Sequence, residues 1–342
     1  MQGYKVIDSD GHVEAAIAEN WRKWVRAPHG DRVVKQTQQS FDRSGDLAVR
    51  RRGMWDAPAR LKDMDTDGIH AAVLFGGIIG LRGGPHDDLQ YSIALCQGYN
   101  NWLQSYCSAN PERLKGVAVT PLASMDESLK ELRRAVTEMG FVGIVFPPFF
   151  QDKNLDDPYF EPLYAECEAL DTPILVHGPG AVRFDSLISG RYHTHFRRHA
   201  LDFPLALMIS SMDMVVGGIF HRYQKLRVAF LEGGCGWLPF WLDRLDEHFE
   251  KLPGHVPHID RKPSEYMKTG RLFFSCEPEE AVLPYVAASG LEDYIIYASD
   301  YAHWDSIFPG SVKAISDRDD LPERAKRKIL SDNSLRLYGM KG

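Results

Sequence analysis

Residues 6–14 read Val-Ile-Asp-Ser-Asp-Gly-His-Val-Glu, and this stretch decides between the possible parallel folds. It contains the end of the first predicted strand, Tyr4–Asp8. An open doubly wound sheet that binds a nucleotide usually carries GxGxxG directly after its first strand. Here Asp10 and His12 stand at that position, which argues against the nucleotide-binding form.

Seven further short apolar runs follow, and helical patterns fill the spaces between them. The runs are continuous rather than alternating, which is typical of strands buried on both faces of a parallel sheet. They are Ala71–Gly77, Leu114–Leu122, Phe141–Pro148, Pro173–Gly178, Leu226–Gly233, Arg271–Cys276 and Asp293–Asp300. Eight strands alternating with helices predict an α/β fold, the (β/α)8 TIM barrel.

The predicted helices carry their own signals. Ser124 begins a capping-box pattern with Glu127, and leucines recur at helical spacing after it. Other helical patterns cover Pro158–Leu170, Ala200–Tyr223, Leu238–Leu252, Glu279–Ser289 and Pro322–Tyr338.

We expect a single domain over residues 1–342, with two insertions at the rim of the barrel, about 22–60 and 178–199. Both stretches are longer and more polar than ordinary connections, and long loops in compact domains are often functional lids.

The composition narrows the class of protein. Hydrophobic residues make up 44% and charged residues 25% of the chain, as in ordinary globular proteins. The net charge of −7 gives no electrostatic case for nucleic acid. We see no apolar run of the roughly 18–20 residues that a membrane span needs, and no signal peptide. Five scattered cysteines without a CxxC motif fit a reducing cytoplasm better than a disulfide framework.

Polar, chemistry-bearing residues end four of the predicted strands. Asp10 and His12 follow the first strand and face the same way, since they lie two residues apart in an extended chain. His177, Glu232 and Asp300 end strands five, six and eight. In a barrel these four strand ends would converge above one rim, where active sites lie.

Two more histidines extend this set. His303 follows Asp300 by three residues, and His199 precedes the predicted helix Ala200–Tyr223. The predicted metal ligands are therefore Asp10, His12, His177, His199, Glu232, Asp300 and His303. Carboxylates and imidazoles suit zinc, manganese or iron, and the absence of a thiolate argues against a structural zinc. We predict Glu232, Asp300 and His303 as the catalytic residues.

The chain resembles the amidohydrolase-2 family, the metal-dependent barrels related to aminocarboxymuconate semialdehyde decarboxylase. The resemblance covers residues 6 to about 306 and includes VIDSDGHVE, RLKDMDTDGIHAAVLF, GIVFPPF, TPILVHGPG and LEGGCGWLPFW. Family members typically carry His-x-His or Glu-x-His after strand one and a histidine after strand six. Asp10 and Glu232 occupy the corresponding positions here.

With Asp10 and Glu232 at these positions, the chain more closely resembles the branch of barrel-fold non-haem diiron monooxygenases that includes the hydroxylase of platensimycin and platencin biosynthesis. The resemblance then implies two irons, an apolar acyl or coenzyme A-linked substrate, an external electron donor and a homodimer. The leading hypothesis is a cytoplasmic, iron-dependent monooxygenase of secondary metabolism that hydroxylates such a substrate. The alternative is a mononuclear zinc or manganese hydrolase or decarboxylase, and a third interpretation is a scaffold protein on an inactive barrel.

Overall fold

The computed structural model describes residues 3–15, 21–32, 51–76, 87–178 and 190–342. The chain divides into two compact units. The first comprises Met1–Val145, Tyr297–Arg318 and Gly342, and the second comprises Phe146–Ile296 and Asp319–Lys341.

Eight strands alternate with helices along the described chain. The strands are β1 Ile7–Val13, β2 Ala71–Gly76, β3 Leu114–Gly116, β4 Ile144–Phe146, β5 Ile174–Val176, β6 Val228–Phe230, β7 Leu272–Cys276 and β8 Ile295–Tyr297. The helices are α1 Ala57–Asp67, α2 Leu89–Cys107, α3 Met125–Thr137, α4 Glu161–Ala169, α5 His195–Val216, α6 Ile219–Arg222, α7 Leu238–Lys251, α8 Pro263–Met267, α9 Leu283–Val286, α10 Ser311–Ser316, α11 Glu323–Arg327 and α12 Asn333–Tyr338.

The strands form two sheets. The first unit contains the three-stranded sheet β1-β2-β3, whose neighbouring strands are parallel. The second unit contains β5, β6 and β7 of the five-stranded sheet β4-β5-β6-β7-β8, and these three neighbouring strands are parallel. All residues of β5 and β6 are buried, as their continuous apolar sequences predict.

Strand β1 differs from its prediction. The expected bounds were Tyr4–Asp8, but the strand runs from Ile7 to Val13 and therefore includes Asp10 and His12. Its polar side chains are completely buried, so hydropathy does not identify the strand. The pairing with β2 shifts register between Asp8 and Gly11, which marks a β-bulge. The other seven strands lie within their predicted runs.

The helices follow their capping signals. Ser124 caps α3, and its hydroxyl accepts the backbone N–H of Glu127 at 3.5 Å. Asp56 caps α1 through the N–H of Ala59 at 3.0 Å, and Gly68, with φ 83°, ends that helix in the left-handed conformation.

Several predicted helices have different bounds in the structure, α5 and α9 among them. Helix α5 begins at His195, so His199 lies within it rather than before it. The polar residues 197–199 in its first turns interrupt the apolar pattern, so the sequence did not indicate this start. Helix α9 covers only Leu283–Val286 of the predicted Glu279–Ser289, and a π-helical turn, Ala287–Leu291, follows it.

Much of the two predicted rim insertions, residues 33–50 and 179–189, lies outside the described residues. Among the described residues one helix, α5, is long and apolar enough to cross a membrane by length and composition, which the sequence analysis did not foresee. A single helix of this kind is weak evidence, since buried core helices pass the same test. The cytoplasmic location stays a prediction.

Candidate metal centre

Four of the seven predicted ligands meet in the first unit. Asp10 and His12 come from β1, and Asp300 and His303 come from the turn after β8. His12 Nε2 lies 3.1 Å from Asp300 Oδ1 and 3.4 Å from Asp10 Oδ1. His303 Nδ1 lies 2.8 Å from Asp300 Oδ1, and the His303 ring stacks on the His12 ring with centroids 4.0 Å apart.

The backbone fixes these two segments against each other. The N–H of Asp300 donates to the carbonyl of Asp10 at 2.9 Å, and the N–H of His12 donates to the carbonyl of Tyr301 at 2.6 Å. Asp300 adopts φ 49°, a left-handed conformation that costs energy for a non-glycine residue. The turn thereby brings the Asp300 carboxylate to the His12 imidazole.

Burial and neighbouring charges set the protonation of the cluster. Burial raises the pKa of Asp10 to about 7 and, with the adjacent His303, lowers the pKa of His12 to about 4. Burial alone would raise the pKa of Asp300, but the imidazoles of His303 and His12 hold it well below its usual range. Burial opposes protonation of His303, and the Asp300 carboxylate outweighs it and raises the pKa.

Asp8 lies behind this cluster and was not among the predicted site residues. Its buried carboxylate accepts the N–H of Ser299 at 2.9 Å, the hydroxyl of Ser299 at 2.7 Å and the N–H of Asp10 at 3.2 Å. Arg60 of α1 completes the arrangement with Nη2 3.5 Å from the Asp8 carboxylate. An aspartate inside an apolar strand is the sequence signal that could have indicated this buried pair.

The second unit brings together two other predicted residues, His177 and Glu232. His177 follows β5, and its N–H donates to the carbonyl of Phe146 at 2.9 Å. Its imidazole is buried, and its Nδ1 lies 3.4 Å from Glu232 Oε2. Glu232 follows β6 with φ 63°, and its N–H donates to the Ser275 hydroxyl at 3.0 Å.

The loop after Glu232 is held by Glu280, which the sequence analysis also missed. The Glu280 carboxylate accepts the backbone N–H of Gly236 at 2.6 Å and that of Cys235 at 3.0 Å. This cluster of N–H donors lies at the start of α7, where a negative charge is stabilised.

His199 is half-buried on α5. Its ring lies 5.2 Å from the ring of His195 and 4.8 Å from that of Phe203. Its role as a ligand stays a prediction, as does the convergence of all seven residues on one centre.

The donor set of the first unit fits a divalent metal ion. His12, Asp300 and His303 each offer a ligand atom, and these atoms lie within 4.8 Å of one another. A metal needs neutral imidazole and ionised carboxylate, and the pKa directions of His12 and Asp300 favour those forms. Nitrogen and oxygen donors without sulfur suit zinc, manganese or iron.

Comparison with known proteins gives the class of protein. The family model Amidohydro_2, described as amidohydrolase, matches residues 7–340. The chain is 28% identical over 288 residues to 2-amino-3-carboxymuconate-6-semialdehyde decarboxylase of Dictyostelium discoideum, covering 84% of this chain and 77% of that protein. It is 29% identical over 196 residues to gamma-resorcylate decarboxylase of Rhodococcus jostii (strain RHA1), covering 55% of this chain and 58% of that protein.

A solved structure agrees over the full length. The 5-carboxyvanillate decarboxylase of Novosphingobium aromaticivorans, with bound manganese, has a TM-score of 0.76 and 21% identity, and the match covers 99% of this chain and 98% of that one. The chain belongs to the amidohydrolase family. The prediction of an α/β, (β/α)8 barrel is confirmed.

The prediction of an iron-dependent monooxygenase is wrong. The curated relatives just described are decarboxylases, so they support the alternative in the sequence analysis rather than its leading hypothesis. The two irons and the electron donor were inferred from the oxygenase branch and lose their basis with it. Asp10 and Glu232 do not indicate an oxygenase, because carboxylates at ligand positions are compatible with several metals and several reactions.

Proposed function

We propose that this protein is a metal-dependent decarboxylase that removes CO2 from a small unsaturated or aromatic carboxylic acid. The observation that carries the proposal is the His12–Asp300–His303 cluster, with its ligand atoms within 4.8 Å of one another, in a chain whose curated relatives include two kinds of decarboxylase. The substrate class follows the relatives, which act on aminocarboxymuconate semialdehyde and gamma-resorcylate.

Zinc or manganese is the proposed metal. In the first unit, His12 and Asp300 would hold it together with Asp10, and His177 is retained from the sequence as a further proposed ligand. A bound divalent ion supplies a Lewis acid that draws electron density from substrate oxygens. The Asp8 carboxylate would keep β1 and the turn after β8 in register around these ligands, through Asp10 and Ser299.

Decarboxylation breaks the bond between the substrate carbon and its carboxylate, and that carbon must then receive a proton. The side chain of His303 is 31% exposed, whereas that of His12 is fully buried, so His303 is the imidazole of this cluster that a substrate can reach. We therefore assign proton transfer, rather than metal binding, to His303, and leave the metal to His12, Asp300 and Asp10. Asp300, 2.8 Å from its Nδ1, orients the ring. Glu232 is a second proposed proton-handling group, since a carboxyl can carry the proton that a histidine carries at the strand-six position.

The test is a product assay on metal-free protein reloaded with Mn²⁺ or Zn²⁺. The substrates are 2,6-dihydroxybenzoate, 5-carboxyvanillate and aminocarboxymuconate semialdehyde, in H2O and in D2O. We expect CO2 release and one solvent-derived deuterium at the carbon that lost the carboxylate. Turnover that keeps the carboxylate, or that consumes dioxygen, would contradict the proposal.

The variant His303→Gln tests the proposed proton donor. General acid–base groups typically contribute about 10²–10⁴-fold, so we expect a loss of that order in kcat with metal still bound. His255→Gln, which alters an exposed histidine of the turn Pro253–His255, is the matched control. Equal activity of His303→Gln and His255→Gln would remove His303 from the reaction.

A further inference from the structure

Arg60 is one of the largest fully buried side chains among the described residues, and it lies directly behind the metal cluster. It projects from α1 with only 1% of its surface exposed. Its Nη1 donates to the carbonyl of His12 at 3.0 Å, and its guanidinium lies 3.9 Å from the centroid of the Tyr301 ring. Its guanidinium places a positive charge in the interior, directly behind the cluster.

These contacts reach both segments that carry the cluster. The bond to the His12 carbonyl holds β1 directly. The contact with Asp8 holds the turn after β8, because the same carboxylate accepts both donors of Ser299. One planar side chain therefore connects the residue before Asp300 to the backbone of His12.

The backbone around Arg60 leaves space for it. A Cβ atom on Gly11 would lie 2.1 Å from Arg60 Nη2 and 2.8 Å from Asp8 Oδ2. A Cβ atom on Gly53 would lie 2.3 Å from the Tyr301 hydroxyl and 3.0 Å from the Cα of Arg60. Two glycines thus allow the close approach of the guanidinium and the tyrosine ring.

Tyr301, which follows Asp300 in the turn after β8, is also bonded to α1. The Tyr301 hydroxyl donates to Asp63 of α1 at 2.5 Å, and Asp63 also accepts Arg51 Nε at 3.1 Å. Tyr301 therefore lies between the guanidinium of Arg60 and the carboxylate of Asp63, and its own carbonyl accepts the N–H of His12. Few alternative positions remain for the turn that carries Asp300.

We propose that Arg60 is a positioning residue of the metal centre, which holds His12 and the Asp300 turn at ligand distances through the His12 carbonyl and Asp8. The inference rests on the proposed function, because it concerns the metal of that function. Groups that orient ligands from behind typically change metal affinity or activity by about 10–100-fold when they are removed. Arg60 is not one of the candidate ligands and acts through the segments that carry them, so its effect should appear in metal affinity.

The experiment titrates Mn²⁺ into metal-free full-length protein by isothermal calorimetry, with folding checked by circular dichroism and thermal melting. Arg60→Met removes the guanidinium and its hydrogen-bond donors, and we expect the affinity for Mn²⁺ to fall about 10–100-fold. Arg60→Lys retains a positive charge near Asp8 but replaces the planar guanidinium by a single ammonium group. We therefore expect a smaller loss of Mn²⁺ affinity.

Two further variants separate positioning from folding. Asp8→Asn/Arg60→Met removes both charges, so that no unpaired charge is buried, and should still lose affinity. Met64→Ala empties a buried position on the same helix and should lower the melting temperature while Mn²⁺ affinity stays within about twofold of wild type.

The outcomes distinguish the positioning role of Arg60 from the proposed function. Wild-type affinity in the Arg60 variants, or an equal loss in Met64→Ala, overturns the positioning role and leaves the proposed function standing. If the wild-type protein binds neither Mn²⁺ nor Zn²⁺, both proposals fail. Weakened binding in the double variant together with unchanged binding in Met64→Ala supports Arg60 as the positioning residue.

Discussion

The variant Gly11→Ala adds one methyl group at a tightly packed point of β1. The new Cβ would lie 2.1 Å from Arg60 Nη2 and 2.8 Å from Asp8 Oδ2, far inside van der Waals contact. Arg60 cannot move away into solvent, because its side chain is only 1% exposed. Either the guanidinium leaves Asp8 and the His12 carbonyl, or β1 shifts relative to its neighbours.

The size of the effect follows from these two routes. Forcing an extra methylene into a packed interior costs about 1–3 kcal/mol. Separating a buried ion pair costs about 3–5 kcal/mol, because each charge is then left without its partner. Only one of the two costs applies, depending on which route the chain takes, so we expect the free energy of unfolding to fall by about 1–5 kcal/mol. That is a large share of the about 5–15 kcal/mol that holds a typical domain together.

Urea unfolding followed by fluorescence and circular dichroism measures this loss. Gly254→Ala is the matched control, because a Cβ atom there has no described heavy atom within 4 Å, and it should leave the free energy within about 0.5 kcal/mol. If Gly11→Ala is as stable as Gly254→Ala, Arg60 is not packed closely against Gly11, and the reasoning is refuted.

Three further changes test other parts of the molecule. Asn100→Ala removes a buried amide that bonds both backbone groups of Val119 and the carboxylate of Glu131, and should cost about 2–4 kcal/mol of unfolding free energy in a urea titration. Ser124→Ala removes the cap of α3 and should cost about 1 kcal/mol by the same measurement, so a neutral result would contradict the capping role. His12→Gln removes a proposed ligand and should weaken Mn²⁺ binding, measured by calorimetry, by more than the roughly 10–100-fold of a supporting residue; unchanged affinity would exclude His12 as a ligand.

Most of the fold could be predicted from the sequence, because buried parallel strands have continuous apolar sequences. The exception is β1, where Asp8, Asp10 and His12 are buried polar residues. Hydropathy cannot identify a strand whose polar side chains are satisfied by partners far along the chain, such as Ser299 for Asp8. The part of the chain that carries the site is thus the part that hydropathy describes least well.

The site could be predicted only in part. Asp10, His12, Asp300 and His303, which lie together in the structure, could be proposed from the sequence because histidines and carboxylates at strand ends are conspicuous. Arg60 was missed, since its partner His12 is 48 residues away and nothing in a helical Arg-Leu-Lys pattern distinguishes a buried arginine from an exposed one.

The chemistry was predicted less well than the clustering of the candidate ligands Asp10, His12, Asp300 and His303. Carboxylate and imidazole donors are shared by several metals, so the residue types alone do not choose between a redox reaction and a Lewis-acid reaction. The correction came from curated relatives that match up to 84% of this chain, rather than from the two positions at which it departs from the usual family pattern.

The bonds from Asp8 to Ser299 join residues that are 291 positions apart, and this separation has a consequence for biosynthesis. At about 5–20 residues per second, a ribosome needs about 15–60 s to make the intervening chain. Throughout that time β1 has already been synthesised, while Asp300, His303 and the donors for Asp8 do not yet exist. The nascent chain therefore cannot assemble the four-residue cluster of the first unit, and loading of a metal onto that complete cluster belongs to the last stage of synthesis or to the released protein.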